Sequence, residues 1–281
     1  MILDDIPVTD DHIHIDTING LGVKAATDFK NAGGTHLFLV SLPSWTYGIV
    51  PHSAQDFVKV FENTLDTADA IRAAGLKVFT VLGVHPAEIT KLSALTSMTL
   101  SEIEEIMKGG MDIAAKYVAE GDAVALKNGR PHYPVEEEVL AASNRILMHS
   151  LELAGDCGCA LQIHAESAPC ADIADMAKSA GVSPHRVVKH FAEYDTPLSP
   201  SFIAKFDGIP EFASRFAAEN RYFTMESDYM DDPTRPGSVI GPKSVPRFTR
   251  RLLEKGAITL EDAVRIHKTA PEKIYSVDIE L

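Results

Sequence analysis

The sequence predicts an α/β protein built as a (β/α)8 TIM barrel. Three observations carry that expectation. Short apolar runs alternate with longer amphipathic segments about eight times along 281 residues, as a parallel sheet with crossover helices requires. The short runs are almost continuously apolar, which suits strands buried on both faces. Histidines and acids recur where these runs end, and a barrel gathers such ends at one face. An open, doubly wound sheet fits less well, because GLG at 20–22 lacks the full G-x-G-x-x-G fingerprint. No linker or low-complexity stretch divides the chain, so one domain over 1–281 is expected.

The elements follow in order. VTDDHIH (8–14) reads as the first strand, and a helix over 20–32 stops at Gly33-Gly34. THLFLVSL (35–42) is a buried strand. A long amphipathic helix covers 53–75, with Ser53 as N-cap and Gly75 as the stop. KVFTVLGV (77–84) is the third strand, a helix spans 99–119, and DAVALK (122–127) is the fourth strand. Pro134 and three glutamates open a helix over 134–154, where their types suit a helix N-terminus. CALQIH (159–164) and HRVVKH (185–190) are the fifth and sixth strands, separated by a helix near 168–180. A seventh strand falls within 197–208, a helix covers 211–220, RYFTMES (221–227) is the eighth strand, and helices fill 243–267.

Composition bounds the function. The chain is 45% hydrophobic and 23% charged, which fits a globular protein with a sizeable core. Its formal net charge of −14 repels polyanions and anionic membranes, although a local phosphate site is compatible with it. The three cysteines, Cys157, Cys159 and Cys170, do not suggest a disulfide framework, and the C-x-C pair reads as small buried side chains rather than metal ligands. The first residues lack the features of a signal peptide, and no run is long enough to span a bilayer. A cytoplasmic location is expected.

DDHIHID (10–16) raises the functional question. Side chains at i and i+2 of a strand share a face, so His12 and His14 form a two-nitrogen pincer. Taken alone, they read equally as two ordinary hydrogen-bonded histidines. The rest of the chain changes the balance. His85 follows the third strand, Lys127 closes the fourth, His164 the fifth and His190 the sixth, and Asp228 lies just past the eighth. In a barrel these positions converge, and together they specify a metal site. His36, His52, His149, His185 and His267 do not share the pattern and read as structural.

HIHID, GVHP (83–86), QIHAES (162–167), VKHFAEY (188–194) and MESDY (225–229) resemble, in order and spacing, the motifs of TatD-like metal-dependent hydrolases of the amidohydrolase-like superfamily. The resemblance spans nearly the whole chain. It implies a TIM barrel, a one- or two-metal centre, and hydrolysis, often of phosphoesters in nucleic acids. It also implies roles. His12, His14, His164 and His190 match metal ligands. Asp228 matches a metal ligand that can take a proton from the attacking water, Glu226 matches the acid two residues earlier, and His85 matches a histidine beside the substrate.

One motif departs from the family. Where it normally has a bridging glutamate after strand four, ALKNGRP (125–131) places Lys127. An ammonium cannot bind a cation, but a lysine that reacts with carbon dioxide becomes an anionic carbamate. Phosphotriesterase-like relatives in the superfamily use a carboxylated lysine at the equivalent strand. The expectation is a carboxylated Lys127 bridging two divalent ions, drawn from zinc, manganese, iron and magnesium. The alternative is a missing bridge and a mononuclear or impaired site. Beyond Lys127, Arg130 and His132 lie on the same face and are expected to bind an anionic substrate group; the alternative for Arg130 is pairing with a neighbouring acid.

The expected activity is metal-assisted hydrolysis of a phosphoester or similar bond of a small anionic substrate, with Asp228 and His85 catalytic. Nucleic acid is disfavoured by the charge. The rivals are a lactonase, amidase or phosphotriesterase on the same barrel, and a metal-binding relative without catalysis.

Overall fold

The computed structural model describes residues 3, 5–234 and 239–281. The chain runs through β1 (Thr9–His14), α1 (Val23–Asn31), β2 (His36–Val40), α2 (Asp56–Ala73), β3 (Lys77–Gly83), α3 (Glu88–Leu95) and α4 (Leu100–Glu120). It continues through β4 (Ala125–Gly129), α5 (Glu137–Cys157), β5 (Ala160–His164), α6 (Ala171–Ser179), β6 (Val187–Ala192), β7 (Ser199–Ile203) and α7 (Ile209–Ala218). The last elements are β8 (Thr224–Glu226), β9 (Tyr229–Met230), α8 (Ser244–Glu254), α9 (Leu260–Val264), a π turn (Arg265–Thr269) and α10 (Ala270–Tyr275).

All strand pairs are parallel, in the order β8-β7-β6-β5-β4-β3-β2-β1-β9. This is an α/β fold with a strongly curled sheet of the TIM-barrel type. The expected eighth strand over 221–227 is the shorter β8, and β9 follows it as a ninth strand that was not expected. β8 pairs with β7 and β9 pairs with β1, and Asp228 between them takes φ +46°. Its backbone N–H turns to the His12 carbonyl at 2.9 Å, so the two ends of the strand order meet at this kink. β6 passes to β7 with no helix among the described residues, which breaks the regular alternation.

Inside the curl, Phe38, Val40, Val81, Ala125, Ala160 and Val188 pack with Ala270, Ile274 and Tyr275 of α10. The Tyr275 ring lies 4.3 Å from that of Phe38 and plugs the interior. Two larger apolar clusters fill the space between the sheet and its helices.

Several expected boundaries shift, each for a local reason. α2 starts at Asp56 rather than at Ser53. The Asp56 carboxylate reaches back to the backbone N–H groups of His52 and Ser53, both at 2.9 Å, so the polar groups before the helix are satisfied by a residue inside it. Gly75, at φ +81°, does follow the helix end. α5 starts at Glu137, with Pro134 outside it. β4 runs two residues beyond Lys127, and β6 two beyond His190. α3 was not expected. The helical stretch 243–267 is broken after Lys255, where Gly256 takes φ +62° and Thr259 caps a new helix with Asp262. Among the described residues, no helix is long and apolar enough to cross a membrane.

Candidate metal centre

The centre is organised by two irregularities in otherwise regular strands. β1 shifts register against β2 between Asp10 and Ile13. A bulge of this kind re-aims side chains, and here consecutive residues both join one buried network. His12 Nδ1 donates to Gln162 Oε1 at 2.7 Å. Gln162 Nε2 donates to the Asp11 carbonyl and to Tyr275 Oη, both at 2.8 Å. Tyr275 Oη in turn donates to Asp11 Oδ2 at 3.1 Å, and Thr224 Oγ1 donates to the same oxygen at 2.7 Å.

This network fixes the His12 tautomer. With the proton on Nδ1, Nε2 carries a lone pair. His14 is fixed the same way, donating from Nδ1 to the Val40 carbonyl at 2.9 Å. The two lone-pair nitrogens then face each other at 3.1 Å. Neither can donate to the other. Protonation is a poor remedy, because burial, followed by the nearby Lys127 ammonium, pushes His14 down to about 3 and His12 well below the ordinary range. A cation between them relieves the repulsion. Asp228 Oδ1 lies 3.9 Å from both nitrogens. His12, His14 and Asp228 thus offer three ligand atoms within 4.8 Å of one another, and His12, His190 and Glu226 form a second such group. Imidazole nitrogens and carboxylate oxygens fit zinc, manganese or iron(II).

The second irregularity is in β6, whose register against β7 shifts between Lys189 and Ala192. Phe191 takes φ +51°, and its N–H donates to Glu226 Oε1 at 2.8 Å. His190 Nδ1 approaches the same oxygen at 3.3 Å. A line of imidazoles leads outward from there. His190 Nε2 meets His164 Nδ1 at 2.8 Å, and His164 Nε2 meets His132 Nδ1 at 2.6 Å. Both ring nitrogens of His164 are therefore engaged by neighbouring histidines, which leaves it beside the two three-ligand groups rather than in them. His85 packs its ring 4.9 Å from that of His164.

Lys127 is buried midway along β4, with Nζ 3.1 Å from His12 Nε2. Burial lowers it to about 8 against the pull of the Asp228 and Glu226 carboxylates. Burial raises Asp228 to about 6, with Lys127 and Lys189 opposing, and raises Glu226 well above the carboxylate range. Arg130 is fully occupied. Nε and Nη2 donate to Glu166, Nη1 and Nη2 to Asp172, and Nη1 to Asn144. This is the acid pairing that the sequence leaves open as the alternative for Arg130. No donor of its guanidinium is free to meet a substrate while those pairs stand.

A cavity of about 260 Å³ opens over the centre, lined by His132, His164, Lys189, His190, Phe191 and Asp228. Gln162, Tyr275 and Lys189 were not singled out by the sequence reading. The available signals were a glutamine and a lysine inside otherwise apolar strands. Asp231 holds the loop after β1 by accepting from the N–H groups of Asp16, Leu21 and Gly22. The cysteines are unpaired, and none joins a cluster of three or more ligand groups among the described residues.

The profile of TatD related DNase matches residues 9–276. A relative from Methanocaldococcus jannaschii, the uncharacterized protein MJ1127, is 40% identical over 290 residues, covering 100% of this chain and 99% of its own. Among solved structures, the organophosphorus hydrolase from Deinococcus radiodurans superposes with a TM-score of 0.59 at 12% identity, covering 97% of this chain and 93% of its own. The phosphotriesterase homology protein from Escherichia coli, complexed with phosphate in its active site, gives 0.58 at 11% identity, covering 96% and 99%. At such identities these two show the shared fold. The family profile goes further: this chain belongs to the TatD-related DNase family of metal-dependent hydrolases.

Proposed function

We propose that the chain hydrolyses a phosphoester or chemically similar bond of a small anionic substrate, using two divalent ions at the strand C-termini of a (β/α)8 barrel. The observation that carries this reading is the pair of facing lone pairs on His12 and His14, with Asp228 beside both. Ions held by His12, His14, His190 and Asp228, with Lys127 completing the set and His164 joining them only if its contacts with His190 and His132 open, would supply Lewis acidity toward water and the scissile group.

The chain's own residues do the rest. Asp228, beside both imidazole nitrogens, orients the attacking water and accepts its proton. His132 stands at the exposed end of the imidazole line, and His85 beside it. Both are placed to stabilise negative charge on the substrate. Arg130 joins them only if its pairs with Glu166 and Asp172 open. Lys127 would act as a carbamate: its neutral amine forms an N–C bond to carbon dioxide and releases one proton, giving an anionic group that would ligate the ions. Its burial and lowered pKa favour the reactive amine. The phosphate bound by the Escherichia coli protein supports a phosphoryl substrate. The net charge of −14 supports a small one over polymeric DNA.

Metal content per chain, measured for wild type and Lys127→Ala purified without chelator, tests the centre. Two ions falling to one or none support the carbamate bridge, and one ion in both removes it. Carbon-13 NMR with labelled bicarbonate reads the carbamate directly. Turnover of phosphoesters against lactones and cyclic amides tests the bond class, and hydrolysis of only the latter would overturn the phosphoester assignment.

A further inference from the structure

We infer that Lys189, rather than Arg130, is the cation that grips the phosphoryl oxygens of the substrate. This deepens the hydrolase reading and rests on it for the identity of the ligand.

Strand geometry sends successive side chains to opposite faces, so with His190 turned to the centre, Lys189 belongs on the outer face among the helices. The register shift of β6 lies just beyond Lys189, between it and Ala192, and the lysine nonetheless reaches the cavity. Lys189, His190 and Phe191 all line the same cavity, together with His132, His164 and Asp228. The bulge is held by Glu226, which accepts the Phe191 N–H.

Lys189 is only 3% exposed, and its Nζ donates to the His190 carbonyl at 2.8 Å. An ammonium has three donors. Among the described residues no carboxylate lies within ion-pair distance of it; the nearby Glu166 is taken by Arg130, and Glu226 turns Oε1 to the β6 backbone and His190 while its Oε2 has no hydrogen-bond partner. A buried ammonium with no carboxylate in contact is costly, and a substrate oxyanion entering this cavity supplies that contact. Ser167 lines the same space and adds a hydroxyl donor. Arg130, by contrast, has all five donors engaged and does not line the cavity.

Inorganic phosphate is the probe. Its dissociation constant is measured by isothermal titration for wild type, Lys189→Met and Lys189→Arg, with metal content determined on the same samples and folding checked by urea denaturation. A charge-assisted contact of this kind predicts a roughly ten- to hundredfold weaker constant in Lys189→Met. Lys189→Arg retains the charge and recovers most of the loss. An unchanged constant in folded Lys189→Met overturns the assignment, and so does equal weakening in both variants. Wild type without metal would count against the hydrolase reading, while the same titrations still decide whether Lys189 holds the anion.

Discussion

Replacing Gln162 with leucine tests whether the buried network exists to aim His12. Gln162 is fully buried, and its amide serves three partners: His12 Nδ1, the Asp11 carbonyl and Tyr275 Oη. Leucine has nearly the same volume, so packing is largely preserved while three polar groups lose a partner. Each unsatisfied buried group costs about 1–3 kcal/mol, and partial relaxation puts the total near 3–6 kcal/mol. The effect on the metal is separate. Without Oε1, His12 can flip its proton to Nε2 and lose the lone pair that faces His14. Outer partners of histidine ligands typically change metal affinity by about 10–100-fold. Competition against a chelating dye, run below the melting transition of the variant, measures this. Tyr275→Phe is the control: it removes the hydroxyl link to Asp11 but leaves the His12–Gln162 bond, so it lowers stability by about 1–3 kcal/mol with little change in metal affinity. Unchanged metal affinity in folded Gln162→Leu, or equal losses in both variants, would refute the tautomer reasoning.

Two further predictions concern the scaffold. Burial pushes the Glu88 carboxyl up to about 7 from its ordinary 4.5, even though it accepts from the Ser44 N–H at 2.8 Å. Between those pH values the folded chain binds more protons at this site than the unfolded chain. The stabilisation is therefore complete below pH 4.5 and lost as pH rises through 7, by up to about 3 kcal/mol. Glu88→Gln should flatten that slope, read as the difference from wild type in urea denaturation at pH 5 and 7.5; parallel curves would count against it. A methyl at Gly83 would collide with the Lys127 carbonyl across the β3–β4 pair, and no rotamer change relieves a clash with backbone. Gly83→Ala should cost about 3 kcal/mol or more and lower the melting temperature by roughly 10 °C, and a wild-type melting curve would contradict that register.

What could be read from the sequence depended on whether a feature obeys strict strand periodicity. The strands are all present, because their buried residues are apolar on both faces, and the polar ends of β1 and β5 announce a site. His12 and His14 were legible as a pair for the same reason. The exceptions are where periodicity is broken. The β1 bulge lets Asp11 and His12 join one network, the β6 bulge beyond Lys189 puts Phe191 at the cavity in left-handed backbone, and the kink at Asp228 separates β8 from an added β9. None of these carries a glycine that would advertise it: Phe191 and Asp228 hold left-handed backbone with ordinary side chains, a conformation that needs surrounding contacts to over-determine it. Those contacts come from distant segments, such as Glu226 on Phe191 and the His12 carbonyl on Asp228. Arg130 misleads for a related reason. An arginine past a strand end looks like an anion receptor, but its partners Glu166 and Asp172 lie 36 and 42 residues downstream. Local chemistry thus locates the mouth, while the choice between Arg130 and Lys189 as the cation facing a substrate depends on burial and ion pairs that only the folded chain assembles.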